Sequence, residues 1–213
     1  MKKKFTLIEL LVVLGIMGLL VAMIFPIYIE SKANGRKVTC ASNLRQMNMT
    51  LQMYISDNDG YLPSIDAWRL QHVFKSKQEA DNLKCPSAKN INVFDRQGVP
   101  GYAFNSAMIG KINHEIVVPG YDAYTAESVT KVTFPTNTVM FCEQAIGVPF
   151  SIGPDPNHFT TIRTPEGEEK GWLRHNNGAN YLFCDGHVKW YSPDAVGYNI
   201  TGTNDGVKPT FAL

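Results

Sequence analysis

The residues that could do chemistry in this chain gather near its C-terminal end, where His175, Cys184, Asp185 and His187 fall within a short stretch. Asp185-Gly186 lies between two apolar runs and reads as a two-residue hairpin turn, because Gly takes positive φ freely. In that register 184 faces 187, 183 faces 188, 182 faces 189 and 181 faces 190. Tyr181, Phe183, Val188 and Trp190 then form an apolar face, and Leu182, Cys184, His187 and Lys189 a more polar one. Cys184 and His187, directly cross-strand, are placed to reach one metal ion. Simpler roles cover the same residues. Asp185 belongs to the turn, His187 to an exposed strand face, and His175 to a local hydrogen bond. A nucleophile–base pair needs a third orienting group and an oxyanion site; neither is readable. The expectation is no enzyme, no cofactor and no metal. Asp57-Asn58-Asp59-Gly60 lacks the alternating ligands of a calcium loop and reads as a turn.

One further acid stands out by its setting. After Lys2, Lys3 and Lys4 comes an apolar run from Phe5 to Phe25, interrupted by Thr6, glycines and Glu9. As a helix, this run is roughly 30 Å long, the thickness of a bilayer core. The lysines would keep the N-terminus cytoplasmic and send the remainder across. A cleaved secretory signal normally has a shorter apolar core and a small-residue cleavage site. Here the run leads into Pro26-Ile27-Tyr28. A carboxylate inside such a helix costs roughly 2.5–3.5 kcal/mol near the centre, less at the edge. Glu9 therefore calls for a partner. Lys4 is one, snorkelling back to the interface. The other is an amino terminus made by cutting before Phe5, belonging to a neighbouring subunit.

The segment Phe5-Thr6-Leu7-Ile8-Glu9-Leu10-Leu11-Val12-Val13, with Gly18 and Pro26 behind it, resembles the N-terminal methylation segment of type IV pilins and type II secretion pseudopilins. The resemblance implies that a prepilin peptidase cuts between Lys4 and Phe5 and methylates the Phe5 amine. It also implies that Glu9 pairs with that amine in a filament. Where the family usually has Gly before the cut, this chain has Lys4, as in a subgroup of that family. His175 followed ten residues later by Asp185-Gly186 resembles the H-X9-DG domain of bacterial prepilin-like proteins. Residues 36–63 and Cys85-Pro86-Ser87 resemble that group as well.

The elements that must carry these residues follow. Pro26 removes one helix hydrogen bond and is expected to kink the helix without ending it. Beyond it Val38, Ala41, Leu44, Met47, Leu51 and Tyr54 recur at helical spacing as one stripe. Asn34 and Gly35 weaken the join, and the turn at 57–60 stops the helix. Farther on, a short helix is expected at Trp68–Leu83, a turn at Cys85-Pro86-Ser87, a buried strand at Thr138–Cys142, and polar loops at 154–170 and 198–209.

The expected fold class is α+β and pilin-like: a basic leader at 1–4, a transmembrane helix at 5–25, its amphipathic continuation at 26–57, and a globular head at 58–213 built on a small antiparallel sheet. Composition agrees with one domain plus an anchor, since 44% of residues are hydrophobic and 18% charged. After Phe25 the chain has 17 basic and 18 acidic residues. That balance argues against a nucleic-acid partner. The expected partners are membrane lipid, further copies or related pilins, the prepilin peptidase and assembly machinery. The expected location is the bacterial inner membrane, single-pass, with the head extracytoplasmic, then a surface or periplasmic filament. The expected function is that of a filament subunit; the alternative is an anchored surface binding protein that does not polymerise. Of the four cysteines none forms a CxxC pair, and three complete pairings exist. A Cys40–Cys85 disulfide would tie the first loop of the head to the helix, and both residues lie in segments that resemble the H-X9-DG group. Cys142 and Cys184 would then be core thiols.

Overall fold

The computed structural model describes residues 6–63, 82–88, 101–105, 108–111, 124–126, 128–143, 162–164, 167–169, 173–197 and 205–210. Lys4, Phe5 and nearly all of the expected helix at Trp68–Leu83 lie outside these residues. The chain divides into two compact units, Met1–Gly35 and Arg36–Leu213. The layout is α+β, with one long N-terminal helix and small antiparallel sheets.

In the first unit the described residues are helical from Leu7 onward and their side chains exposed as far as Lys32. Helix α1 spans Leu7–Asp57 and runs through Pro26. Its N-terminal part is long and apolar enough to cross a membrane.

In the second unit α1 buries Cys40, Asn43, Leu44, Met47, Leu51 and Ile55. Apart from the adjacent Asn43 and Leu44, these positions lie three or four apart, as one helix face demands. The expected stripe is therefore displaced. Val38 is 66% exposed, Tyr54 only half-buried, and Cys40 and Ile55 take the outer places. The helix ends where the turn residues begin, and Gly60 N–H closes it by donating to Ile55 O at 2.9 Å.

The main sheet has β1 (Tyr102–Phe104), β4 (Val139–Glu143), β7 (Ala179–Phe183) and β8 (Val188–Tyr191) in the order β1-β4-β7-β8, antiparallel throughout. Two small pairs accompany it: β2 (Ile109–Lys111) with β3 (Tyr124–Ala126), and β5 (Ile162–Thr164) with β6 (Gly167–Glu169). The last pair corrects part of the loop expected at 154–170, whose described residues form two short paired strands.

Strands β4 and β7 are buried along their whole length. Leu182, Phe104, Met140 and Phe141 join the helix residues in one core cluster. Val139, Cys142, Ala179, Tyr181, Phe183 and Val196 form a second. The expectation of one apolar and one polar face on β7 is thus overturned, since its alternate residues enter two different cores.

The β7–β8 register is also one residue off the expected one. Tyr181 pairs with Lys189 and Leu182 with Val188. Phe183 N–H donates to His187 O and Gly186 N–H to Phe183 O, each at 2.9 Å. Gly186 has φ +91°. The connection is a three-residue loop, a turn closed by a left-handed Gly, instead of a two-residue Asp-Gly turn.

Candidate functional site

At the start of α1, Thr6 and Glu9 satisfy each other. Glu9 N–H donates to Thr6 Oγ1 at 3.3 Å, and Glu9 Oε2 accepts from Thr6 N–H at 2.9 Å and from the Thr6 hydroxyl at 2.7 Å. This is a capping box, which occupies amide donors that a helix N-terminus leaves orphaned. The spacing Thr-x-x-Glu was legible in the sequence, and it supplies Glu9 with a partner inside its own chain. Lys4 and the Phe5 amine, the partners expected from sequence, lie outside the described residues.

The second constellation is built where four elements meet. Cys40 comes from α1, Cys85 from the turn closed by Ala88 N–H donating to Cys85 O, Glu143 from the end of β4, and His175 from the turn before β7. Cys40 and Cys85 form a disulfide with Cα atoms 5.3 Å apart, inside the distance such a bond requires. Asn43, one helical turn beyond Cys40, donates from Nδ2 to Leu83 O at 2.8 Å and Lys84 O at 3.1 Å. The same helix face therefore holds the 83–85 segment covalently and by hydrogen bonds.

His175 is buried against that disulfide. Its Nε2 lies 3.6 Å from Cys85 Sγ and 3.1 Å from Glu143 Oε1. Glu143 also accepts from Asn180, at Oε2 from the backbone N–H (3.0 Å) and at Oε1 from Nδ2 (2.8 Å). A carboxylate this deep survives only if its lone pairs are taken, and here three donors take them. The backbone of His175 is fixed as well. His175 and Gly178 exchange both backbone hydrogen bonds, at 2.9 and 3.1 Å. Asn176 and Asn177 between them have φ of 52° and 59°, the left-handed pair of a type I′ turn. Trp190 Nε1 donates to His175 O at 2.8 Å.

The Asp185–Gly186 end of the same string also reaches α1. A Cβ on Gly186 would stand 2.7 Å from Asn48 Nδ2. His175 and Gly186 therefore sit on the helix near Cys40 and Asn48, positions about 12 Å apart along a helix axis. The H-X9-DG string lies against the helix at both ends. Sequence reasoning found His175 but not its partner Glu143, nor the Asn180 that donates to that acid; the one signal was an acid directly after the apolar run Val139–Cys142.

Cys184 and His187 do not converge. Cys184 packs against the helix-side core, with Sγ 3.7 Å from Met108 Sδ. His187 stacks on Phe183, which belongs to the other core, with ring centroids 4.2 Å apart. Its Nδ1 stands 2.6 Å from Asp185 Oδ1. In the observed register the two residues flank a three-residue loop and pack on different cores, in place of the directly cross-strand pair considered from sequence. Burial, helped by the Asp185 carboxylate, pushes the Cys184 thiol up to about 12. Burial and then Glu143 push Cys142 far above the usual thiol range. Neither is a poised nucleophile.

No protein family, curated protein or solved structure matches the chain.

Proposed function

We propose that this chain is a structural subunit of a type IV pilus-like or type II secretion pseudopilus filament. In this reading it is cut between Lys4 and Phe5, methylated on Phe5, and assembled through the apolar half of α1. The observation that carries the reading is the surface of that half. Its large apolar side chains from Leu7 to Ile29 are 47–80% exposed, over a length that matches a bilayer. A surface so extended must be covered by lipid or by other helices. A filament supplies the second cover after the membrane has supplied the first. The head remains outside the cytoplasm, where a Cys40–Cys85 disulfide persists.

Mass spectrometry of the N-terminal peptide from native membranes tests this. N-methyl-Phe5 as the first residue supports processing, and recovery of Met1 alone from cells with active prepilin peptidase overturns it.

A second reading has its own supporting observation. Because Glu9 is satisfied by Thr6, the acid has a use in a solitary anchor. In that reading the protein is tethered, displays a binding head and does not polymerise. Electron microscopy of material sheared from cells separates the two readings, since only the first yields filaments containing this chain.

A further inference from the structure

Among the described residues one group offers a metal a full set of ligands. A sulfur from Cys40, a sulfur from Cys85, a carboxylate oxygen from Glu143 and an imidazole nitrogen from His175 all lie within 4.8 Å of one another, and all four residues are buried. Two thiolates, one imidazole and one carboxylate are a zinc donor set, with Zn–S about 2.3 Å and Zn–N or Zn–O about 2.0–2.2 Å. Tetrahedral ligands at those lengths stand roughly 3.3–3.8 Å apart. Drawing this group to that spacing takes shifts of an ångström or so. Outer contacts already orient two ligands: Asn180 holds the Glu143 carboxylate, and the His175 backbone is fixed by Gly178 and Trp190. Such supports tune and stabilise metal sites. The ligands come from four separate elements, with Cys85 and His175 alone 90 residues apart in sequence, so a bound ion would tie α1, the 85 turn, β4 and the β7 turn at one point.

We propose that the reduced protein binds one zinc-class divalent ion through Cys40, Cys85, Glu143 and His175, and that the Cys40–Cys85 disulfide and the ion are alternative cross-links at the same place. In the oxidised protein the two sulfurs are bonded to each other and supply no thiolate. A phosphine reductant cleaves that bond, taking an oxygen atom from water to become the phosphine oxide and leaving two thiols. Zinc binding then displaces the two thiol protons to solvent, as metal binding to cysteine requires, and the proton that His175 Nε2 presents to Glu143 moves to Nδ1, so that Nε2 is free to ligate. The arrangement is independent of filament assembly and would hold for a tethered monomer as well.

The test uses the full chain in detergent, reduced with a phosphine under argon and titrated with Co2+. Reduced protein is expected to develop the intense visible bands of tetrahedral cobalt and a thiolate charge-transfer band. These should saturate at one ion per chain and be displaced by Zn2+. Oxidised protein should show none of them. His175→Gln and Glu143→Gln should each weaken binding by at least the roughly 10–100-fold that loss of an outer support costs. Cys142→Ser and Cys184→Ser should leave it unchanged. Because a ligand variant can lose its fold, X-ray absorption on the reduced, zinc-loaded wild type provides a second measurement. Two sulfurs near 2.3 Å and two lighter ligands near 2.0–2.1 Å are expected. Absence of the tetrahedral cobalt spectrum in reduced protein, equal binding by oxidised protein, loss of binding in Cys142→Ser or Cys184→Ser, or any other sulfur count overturns the proposal.

Discussion

His175 Nε2 and Glu143 Oε1 stand 3.1 Å apart, with both side chains sealed from solvent. The pair joins the turn before β7 to the end of β4, and Asn180 saturates the carboxylate from a third position. Breaking a buried pair costs more than the pair contributes, because the survivor stays behind without its partner. His175→Ala and Glu143→Ala should each lower the unfolding free energy by about 3–5 kcal/mol. The double variant should lose clearly less than the sum, since each change strands the same partner. Denaturant melts of the four proteins decide it. Losses that simply add, or a single variant within about 1 kcal/mol of wild type, would refute the coupling.

Glu9 has two separable assignments, and two substitutions separate them. A Gln at the third helical position can still reach back to the Thr6 amide, whereas Ala cannot. If Glu9 only caps, Glu9→Gln should behave as wild type and Glu9→Ala should weaken the first turn by about 0.5–2 kcal/mol. If its charge also pairs with a neighbour's amine, both variants should insert at least as well as wild type, since a costly charge has gone. Both should then fail to enter filaments. We expect the second pattern. Quantifying each variant in membrane and sheared fractions checks it, and normal filament yield from Glu9→Gln would leave the cap as the acid's whole role.

Two glycines of the His175–Gly186 string should tolerate substitution unequally. A Cβ at Gly178 would stand 2.5 Å from Trp190 Cε2 and from the Tyr191 carbonyl oxygen, atoms fixed by β8. At Gly186 the obstacle is the flexible end of Asn48, in addition to a φ of +91°. Gly186→Ala should cost about 1–3 kcal/mol through backbone strain, and Asn48→Ala in the same chain should recover part of it. Gly178→Ala should cost more and be unaffected by Asn48. Thermal melts of the single and double variants report both, and a Gly178→Ala protein as stable as wild type would contradict the packing.

The four cysteines should divide into a linked pair and two slow thiols. A non-reducing peptide map should recover Cys40 joined to Cys85 and leave Cys142 and Cys184 free. With its pKa raised to about 12 by burial and then by Asp185, Cys184 should alkylate at pH 8 much more slowly in the folded protein than in denaturant. The linkage has a definite sign. A thiol whose folded pKa is raised contributes stability that is complete below about 9 and lost as pH rises from there toward 12. Tyr102 and Cys142, raised chiefly by burial, act in the same direction. The melting temperature should therefore fall with pH above about 9. A fall of equal size in Cys184→Ala would show that this thiol contributes none of it.

The elements visible in the sequence were those fixed by local signals. The apolar run, the stop at 57–60 and a buried strand at 138–142, one residue short of the observed Val139–Glu143, follow from periodicity and turn chemistry. What failed depended on distant contacts. The Asp-Gly pair fixes a turn but not which residues occupy its centre. Here Cys184 N–H donates to Thr138 O and Asp185 N–H to Pro135 O. The segment before β4 thus holds the loop in its three-residue form. The helix stripe differs at its start, where Cys40 is buried and bonded to Cys85, a contact 45 residues away that helical spacing does not register. Glu143 and His175 are 32 positions apart with no pattern to relate them, and only the sheet brings them together. The capping box, by contrast, was written in Thr6-x-x-Glu9 and was missed because Glu9 was weighed only as a charge in lipid.

The disulfide at Cys40 also decides how this molecule carries load. Tension drawn through the apolar half of α1 passes Gly35 and, five residues on, reaches Cys40. From there the covalent route leads directly to Cys85, skipping a sequence separation of 45. The buried face from Asn43 to Ile55 is left out of that route. Pulling on the helix does not peel it from the sheet turn by turn; the force arrives on a covalent bond beside the sheet's own fastening at His175 and Glu143. With the bond reduced and no ion in its place, the same pull would be borne by side-chain packing and hydrogen bonds, and the helix would come away like a zip.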